Sequence, residues 1–334
     1  PIKLKPMKTA LKTILIIVVI LGLVYAVGPR PSAPKYETSL PKVPSIDSLT
    51  TYVKQQESKH HIKLANQAEI VWADSSHRQP EYAIVYLHGF SASKEEGNPV
   101  HLNFAKNIHA NLFLSRLADH GIDTIAPMQY LTADRLWESA KEALSIGKRL
   151  GKKVILVGTS TGGTLALQLA AAYPEVNSLI LLSPNVAIND SKAWLLNNPW
   201  GLQIARLVTG GDERFLIGKS PIYKKYWYNH YRLESVVQLQ ELLESSMNKA
   251  TFGRVKQPVL LLYYYKNEQQ QDPVVKVSAM LKMFDELGTP ANEKLKIALP
   301  HTGNHVLGSY ITSKDVNGVE KAVNQFASKY ILAN

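Results

Sequence analysis

Short apolar runs alternate along this chain with segments of helical periodicity. The apolar runs cover residues 82–87, 154–157, 179–183, 259–264 and 295–299, and the helical spacing covers residues 104–120, 132–150, 164–172, 276–287 and 316–331. Apolar runs this short are typical of strands buried on both faces, which occur in parallel sheets covered by helices. The alternation therefore predicts an α/β fold, with a mostly parallel central sheet and helices on both faces. Residues 62–72 and 122–126 are expected to add two further strands.

One long segment interrupts the alternation. Residues 187–255 contain no apolar run of this kind and are rich in aromatic side chains, so they predict a helical insertion. Within it, residues 223–232 interleave aromatic with basic side chains, a pattern that also suits binding to a nucleic-acid strand. The pattern alone does not separate a packed helical layer from a nucleic-acid surface.

The N-terminal segment carries much of the excess positive charge. The formal net charge is +11, and residues 1–35 hold six basic residues and no acidic one, which leaves 32 basic and 27 acidic residues in the rest. The 14 residues 14–27 form an apolar run, which suits a signal-peptide core of about 7–15 residues. With their flanks they give 17 uncharged residues, near the lower limit of about 17 for a spanning helix. Residues 1–28 therefore predict a signal peptide or a membrane anchor. Either one implies an exported protein of the cell envelope, with Lys8 and Lys12 on the cytoplasmic side.

A proline-rich stretch follows this leader. Residues 29–45 contain five prolines and predict an extended, polyproline-like linker that would hold the folded body away from the membrane. Residues 46–186 and 256–334 then form the predicted core, with residues 187–255 inserted between its two parts.

The motif with the most specific chemistry is Gly-Thr-Ser-Thr-Gly at residues 158–162. A predicted strand precedes it and a helix of small residues follows it, which is the context in which a serine on a sharp turn becomes a nucleophile. Glycine is favoured at both ends because a Cβ there would collide with the strand or the helix. A phosphate-binding loop is not indicated, because the motif lacks Gly-Lys-Ser/Thr. The chain has no cysteine, which excludes thiolate catalysis, disulfides and Cys-ligated metals.

A serine nucleophile needs a base, and the base needs a carboxylate that orients it. Candidates of both kinds follow later predicted strands: the histidines His301 and His305, and the acids Asp190, Glu268 and Asp272. Their positions alone leave the two histidines and the three acids as alternatives.

These motifs together resemble the α/β-hydrolase family, and within it bacterial carboxylesterases and monoacylglycerol lipases that carry a cap after the sixth strand. The resemblance covers roughly residues 60–334. It rests on four motifs in the family's order: Leu-His-Gly-Phe at 87–90, the serine motif at 158–162, Asp-Pro-Val at 272–274 and His-Val-Leu at 305–307. It implies the α/β-hydrolase fold, with residues 187–255 as a helical cap.

The resemblance also implies a role for individual residues. It makes Ser160 the nucleophile, and it favours His305 over His301 because the family carries its catalytic histidine before a small apolar pair. Asp272 lies 33 residues before that histidine, which is the family spacing and favours it over Asp190.

The same resemblance assigns the oxyanion hole to two backbone amides. One belongs to Thr161, which follows the nucleophile, and the other to Phe90, which follows His-Gly.

With such a site, residues 187–255 are better interpreted as a cap over an acyl pocket than as a nucleic-acid surface. The predicted substrate contacts are His88, Trp194, Tyr223 and Trp227, although His88 is also expected to support its own loop. His101 and His109 lie eight residues apart with no carboxylate at ligand spacing, so neither a metal site nor a cofactor is predicted.

The sequence therefore predicts an exported serine carboxylesterase or lipase that acts on a small ester or lipid and contacts the membrane through its N-terminal segment. Nucleic acid is not an expected partner. The same fold can cleave another bond, as a peptidase, thioesterase or carbon–carbon hydrolase, and a non-catalytic membrane-tethered binding protein is a third hypothesis.

Overall fold

A computed structural model describes residues 5–333, so the first four residues of the predicted leader lie outside the described residues. The strands are β1 (Glu69–Val71), β2 (Tyr82–Leu87), β3 (Asn111–Leu114), β4 (Lys153–Thr159), β5 (Ser178–Leu182), β6 (Glu213–Phe215), β7 (His230–Arg232), β8 (Val259–Tyr263), β9 (Tyr265–Asn267), β10 (Gln270–Gln271) and β11 (Lys294–Ala298). The helices are α1 (Lys5–Ala26), α2 (Ile46–Glu57), α3 (Val100–Asn107), α4 (Ala133–Leu150), α5 (Thr161–Ala172), α6 (Gly201–Thr209), α7 (Pro221–Tyr226), α8 (Leu233–Ser246), α9 (Lys249–Arg254), α10 (Val277–Glu286) and α11 (Val316–Tyr330). Short 3₁₀ turns lie at Lys94–Gly97, Ala193–Leu195 and Ala291–Glu293.

Seven strands form the central sheet, in the order β1-β3-β2-β4-β5-β8-β11. The β1–β3 pair at one edge is antiparallel, and the other neighbours are parallel. The chain moves from β2 outward to β3 and then crosses back to β4, so the direction of winding reverses between β2 and β4. Ligands of such sheets bind at the carboxyl ends of the strands beside this reversal. There the register sets Leu87 opposite Gly158.

Helices cover both faces of the sheet, as predicted. Alternate residues of β2 point to opposite sides, so Val85 belongs to one apolar core and Ile84 to the other. The first core contains buried side chains of α4 and α5, and the second contains those of α3 and α11. Thr132 caps α4, since its hydroxyl accepts the Arg135 N–H at 3.1 Å.

The early part of the chain differs from its predicted elements. Residues 104–120 are not one helix: α3 ends at Asn107, and β3 follows between β1 and β2. The predicted strand at residues 122–126 does not form, and Ile122 makes only an isolated bridge to Ile62. The residues Asn111–Leu114, which looked like the end of a helix, are fully buried between two strands, and tertiary packing overrides their helical spacing.

The segment between β5 and β8 holds α6 to α9 together with the two-stranded antiparallel sheet of β6 and β7. It is thus not wholly helical. It follows the fifth strand of the central sheet along the described chain, whereas the family resemblance places it after the sixth. Its later helices α8 and α9 pack against α5. The division of the chain into core and cap stays a prediction.

The N-terminal region consists of one exposed helix and one packed strap. Within α1, residues Thr9–Ala26 are long and apolar enough to cross a membrane, and none of their side chains is buried. Residues 29–45 form a strap without helix or strand, and its residues 37–39 contact the body of the protein. The carbonyls of Glu37, Thr38 and Ser39 accept hydrogen bonds of 2.8–2.9 Å from Trp137, Tyr173 and Lys141 respectively.

Candidate active site

Ser160 occupies a sharp turn between β4 and α5. Its backbone has φ 51° and ψ −118°, a combination that residues other than glycine rarely adopt. A Cβ on Gly158 would lie 2.5 Å from the Gly162 carbonyl oxygen, and one on Gly162 would lie 1.8 Å from the Leu87 carbonyl oxygen. Both glycines are thus required by the close approach of strand, turn and helix, as the sequence predicts.

His305 and Asp272 come together at the same edge of the sheet. Asp272 follows β8, His305 follows β11, and their Oδ2 and Nδ1 atoms lie 2.6 Å apart. The other carboxylate oxygen of Asp272 accepts the backbone N–H groups of Val274 and Val275 at 2.8 and 3.0 Å. The acid is therefore held in one orientation against the imidazole ring.

The electrostatics of this pair favour its charged form. Burial would raise the pKa of Asp272, but the His305 ring and the hydrogen bonds to the carboxylate outweigh it and lower that pKa below its ordinary value. Burial would lower the pKa of His305, but the Asp272 charge outweighs it and raises that pKa above 6.5. Within residues 5–333, His305 Nε2 is buried and has no hydrogen-bond partner. The ring thus has one nitrogen fixed by a carboxylate and one free for another group.

The alternative residues do not join this pair. His301 is exposed in the loop that also carries His305. Asp190 is exposed and accepts the Lys192 backbone N–H at 2.8 Å, and Glu268 is exposed and accepts the Tyr265 hydroxyl at 2.8 Å. Asp272 is the one candidate acid whose carboxylate contacts a candidate base.

The two predicted oxyanion amides flank the serine turn. Thr161 is the first residue of α5, and Phe90 lies in the loop after β2. Among the described residues, no group accepts a hydrogen bond from either backbone N–H. The Phe90 ring packs edge-on against Tyr231 with centroids 5.1 Å apart, so its side chain serves packing while its amide stays available.

His88 supports the loop after β2 that carries Phe90. It is fully buried, its Nε2 accepts the Leu117 N–H at 3.0 Å, and its Nδ1 lies 2.9 Å from the Gly89 carbonyl oxygen. Burial lowers its pKa well below 6.5, which keeps the ring neutral. With both nitrogens engaged by the backbone, His88 has no polar atom left for a substrate. The structure gives it the supporting role alone.

The aromatic candidates of the inserted segment separate into two groups. Trp227 is buried against Ala92 and Val306, which adjoins His305, and the Tyr223 ring stacks on it with centroids 4.7 Å apart. Trp194 lies on the surface with 55% of its area exposed. Of the three, Tyr223 and Trp227 are those packed near Val306, beside His305.

One further residue, Glu96, lies beside this site and was not among the predicted site residues. Glu96 lies in the 3₁₀ turn Lys94–Gly97, is 2% exposed, and accepts the Gly89 backbone N–H. A Cβ on Gly89 would lie within 3.0 Å of both the Glu96 carboxylate and the Ser160 Cβ. Burial raises the pKa of Glu96 to about 7, against the lowering effects of the Gly89 hydrogen bond and of His305. The side chain of Glu96 is turned inward by the fold of the loop, although it belongs to the charged run Lys94-Glu95-Glu96.

Within residues 5–333, no group of three or more His, Asp or Glu side chains is placed to hold an ion. His101 is buried, its Nε2 lies 2.8 Å from the Lys94 carbonyl oxygen, and its ring packs against Tyr86. His101 therefore has a packing role.

Comparison with known proteins adds independent findings. The profile of the Alpha/beta hydrolase family matches residues 84–310. A thermostable monoacylglycerol lipase of Bacillus sp. (strain H-257) is 28% identical over 185 residues, which cover 53% of this chain and 67% of the relative. The human serine hydrolase BPHL is 25% identical over 206 residues, which cover 58% of this chain and 65% of the relative. The chain thus spans about two thirds of the length of each relative.

Solved structures share the fold at low identity. A structure from work on LipS and LipT, two metagenome-derived lipolytic enzymes, superposes with a TM-score of 0.63 at 18% identity and covers 80% of this chain and 99% of that one. The monoacylglycerol lipase of Paleococcus ferrophilus gives a TM-score of 0.56 at 16% identity, with 78% and 98% covered. Both likenesses concern the arrangement of strands and helices.

Proposed function

Because the chain belongs to the α/β hydrolase family, we propose that it is a serine carboxylic-ester hydrolase, of the carboxylesterase or monoacylglycerol lipase type. In this proposal Ser160, Asp272 and His305 form the catalytic triad, and the amides of Phe90 and Thr161 form the oxyanion hole. The substrate is a small ester or lipid, and no cofactor takes part.

The reaction proceeds through an acyl-enzyme. Ser160 Oγ attacks the ester carbonyl carbon while His305 Nε2 accepts its proton, and the imidazolium then gives this proton to the leaving alcohol. A water molecule, deprotonated by the same nitrogen, hydrolyses the acyl-serine. Asp272 holds Nδ1 and stabilises the imidazolium in both steps.

In this proposal two backbone amides stabilise the charge on the carbonyl oxygen. The Thr161 amide lies at the start of α5, where the helix dipole favours negative charge, and the Phe90 amide belongs to the loop after β2. His88 and Glu96 hold that loop through Gly89 and are positioning residues in this scheme.

One observation carries the proposal. His305 is fixed by Asp272 at 2.6 Å through one nitrogen and is left without a partner at the other, at the same sheet edge as a serine on a strained turn. A surface histidine has no need of this arrangement, whereas a general base does. The alternative of a non-catalytic binding protein gives no reason for the strained serine.

The remaining parts of the proposal concern access and location. Residues 187–255 act as a cap, with Tyr223 and Trp227 in the wall of the acyl pocket, and the apolar stretch of α1 is a signal peptide or membrane anchor of an exported protein. The lipase and esterase names of the relatives and neighbours favour ester bonds over peptide or carbon–carbon bonds.

The test compares bonds on one purified protein. The full chain in detergent is assayed with p-nitrophenyl esters of increasing acyl length, with matched thioesters, and with amino-acid p-nitroanilides. We expect the highest kcat/KM on an ester, with activity abolished in Ser160→Ala and unchanged in the exposed control Ser191→Ala. Faster turnover of the thioester or anilide would replace the proposed bond, and full activity in Ser160→Ala would refute the site.

A further inference from the structure

An unusual group of apolar side chains lies on the outside of the inserted segment. We call it the apolar face, and it comprises Ile204, Leu207, Val208, Phe215 and Ile217. The first three follow helical spacing on α6, and Phe215 and Ile217 lie on and after β6, which contacts α6. Leu207 is 86% exposed and Ile217 is 93% exposed. Single exposed apolar residues are ordinary, but a group on one face marks an interaction surface.

The other side of α6 is already occupied. Arg206 lies between two acids there, 2.8 Å from Glu234 of α8 and 2.8 Å from Asp212. The polar side of α6 is thus held by Asp212 and α8, and the apolar face lies on the opposite, exposed side of the helix.

The end of α1 binds the residue that precedes this helix. The Trp200 indole N–H donates to the Val24 carbonyl oxygen at 2.9 Å, and its backbone N–H donates to the Pro29 carbonyl oxygen at 2.9 Å. The Trp200 ring also fills the space beside Gly28, where a Cβ would lie 2.3 Å from it. Trp200 directly precedes α6. The end of the apolar α1 therefore lies next to the start of the helix that carries most of the apolar face.

Distance and charge agree with a shared surface. With nine residues at about 1.5 Å each, α6 extends only about 14 Å from this junction. Residues 191–229 contain six basic and two acidic side chains, and Lys192, Lys219, Lys224 and Lys225 are exposed. Exposed lysines in the segment that carries the apolar face suit anionic lipid head groups, and a tryptophan bound at the end of an apolar helix suits the membrane interface.

We propose that the apolar face lies in the surface of the bilayer leaflet from which α1 emerges, so that α1 and the inserted segment bind an anionic lipid membrane as one unit. The occupant of the face is lipid, and a partner protein is the alternative that the experiment rejects. This inference rests on the membrane-anchor alternative of the proposed function, and it does not depend on which bond the enzyme cleaves.

The absence of cysteine permits a direct test. Single variants Val18→Cys in α1, Leu207→Cys and Ile217→Cys in the apolar face, and Lys282→Cys on the exposed side of α10 are each labelled with a polarity-sensitive fluorophore. The full chain is reconstituted into vesicles of phosphatidylcholine and phosphatidylglycerol, with and without brominated acyl chains. We expect blue-shifted, bromine-quenched emission from the labels at 18, 207 and 217, and water-like, unquenched emission at 282.

The emission of the labels at 207 and 217 decides between the outcomes. Emission from 207 and 217 that stays water-like overturns the proposal, whether or not the label at 18 is quenched. Shielding at 207 without bromine quenching also overturns it, because that result means a protein neighbour. Because these positions are exposed, the labels leave the core packing untouched, and the unchanged thermal unfolding of each variant serves as the control for folding.

Discussion

Replacing Asp272 with asparagine removes the charge beside His305 and keeps the shape of the side chain. The carboxylate lies 2.6 Å from His305 Nδ1 and is fixed by two backbone N–H groups. The amide of an asparagine can donate to Nδ1, which leaves the proton of the neutral ring on Nε2. That nitrogen then cannot accept the proton of Ser160. The same exchange in a serine-protease triad lowers kcat about 10⁴-fold, which corresponds to about 5 kcal/mol.

We therefore expect Asp272→Asn to lower kcat by about 10³–10⁴-fold on a p-nitrophenyl ester, with little change in KM. The matched controls are Asp190→Asn and Glu268→Gln, which alter exposed acids at the same end of the sheet and should leave kcat nearly unchanged. A near-normal kcat in Asp272→Asn would refute the reasoning. A large loss in Asp190→Asn instead would identify that residue as the orienting acid.

Three further predictions follow from the site. Asp272 raises the pKa of His305 above 6.5, so kcat/KM should fall as the pH falls through a value above 6.5, and this acid limb should move to lower pH in Asp272→Asn; a pH–rate profile with an unmoved limb contradicts it. Burial raises the pKa of Glu96 from 4.5 to about 7, so the folded state binds this proton more tightly and loses stability as the pH rises through that window. As the pH rises from 4.5 to about 7, the unfolding free energy of Glu96→Gln, measured in urea, should rise by about 3 kcal/mol relative to that of the unmodified chain. A difference between the two proteins that does not change with pH would argue against the buried charge. Finally, Gly162→Ala should lose more than about 4 kcal/mol, because its Cβ would meet the Leu87 carbonyl at 1.8 Å, whereas Gly253→Ala, with open space around it, should be neutral or stabilising in the same urea assay.

The sequence predicts the central strands and the serine turn well, because their signals are local. A continuous apolar run as short as residues 82–87 indicates a buried strand. Glycines two residues before and after Ser160 indicate a tight turn between a strand and a helix. The error at residues 104–120 has a non-local cause. Asn111–Leu114 becomes a strand only because β1 and β2 provide partners on both sides.

The site shows the same division between local and non-local information. The contact between Asp272 and His305 joins residues 33 positions apart, and it was expected from the resemblance to the family, not from the positions of the residues alone. The burial of the Glu96 side chain depends on the path of the loop that brings it to the Gly89 N–H. The spacing of apolar residues in the sequence does not predict that path. The packing of residues 29–45 depends on hydrogen bonds from α4 to the backbone carbonyls of the strap, and such contacts leave no mark in its proline-rich composition.

The central claim is that Ser160 is an activated nucleophile. The most direct measurement treats the full chain with a fluorophosphonate and locates the adduct by mass spectrometry of its peptides, with Ser160→Ala as the matched control. We predict a single covalent adduct on Ser160 that forms quickly in the unmodified chain, slowly in Asp272→Asn, and not at all in Ser160→Ala. An adduct on another residue, or no adduct on a chain that is folded, would contradict the account.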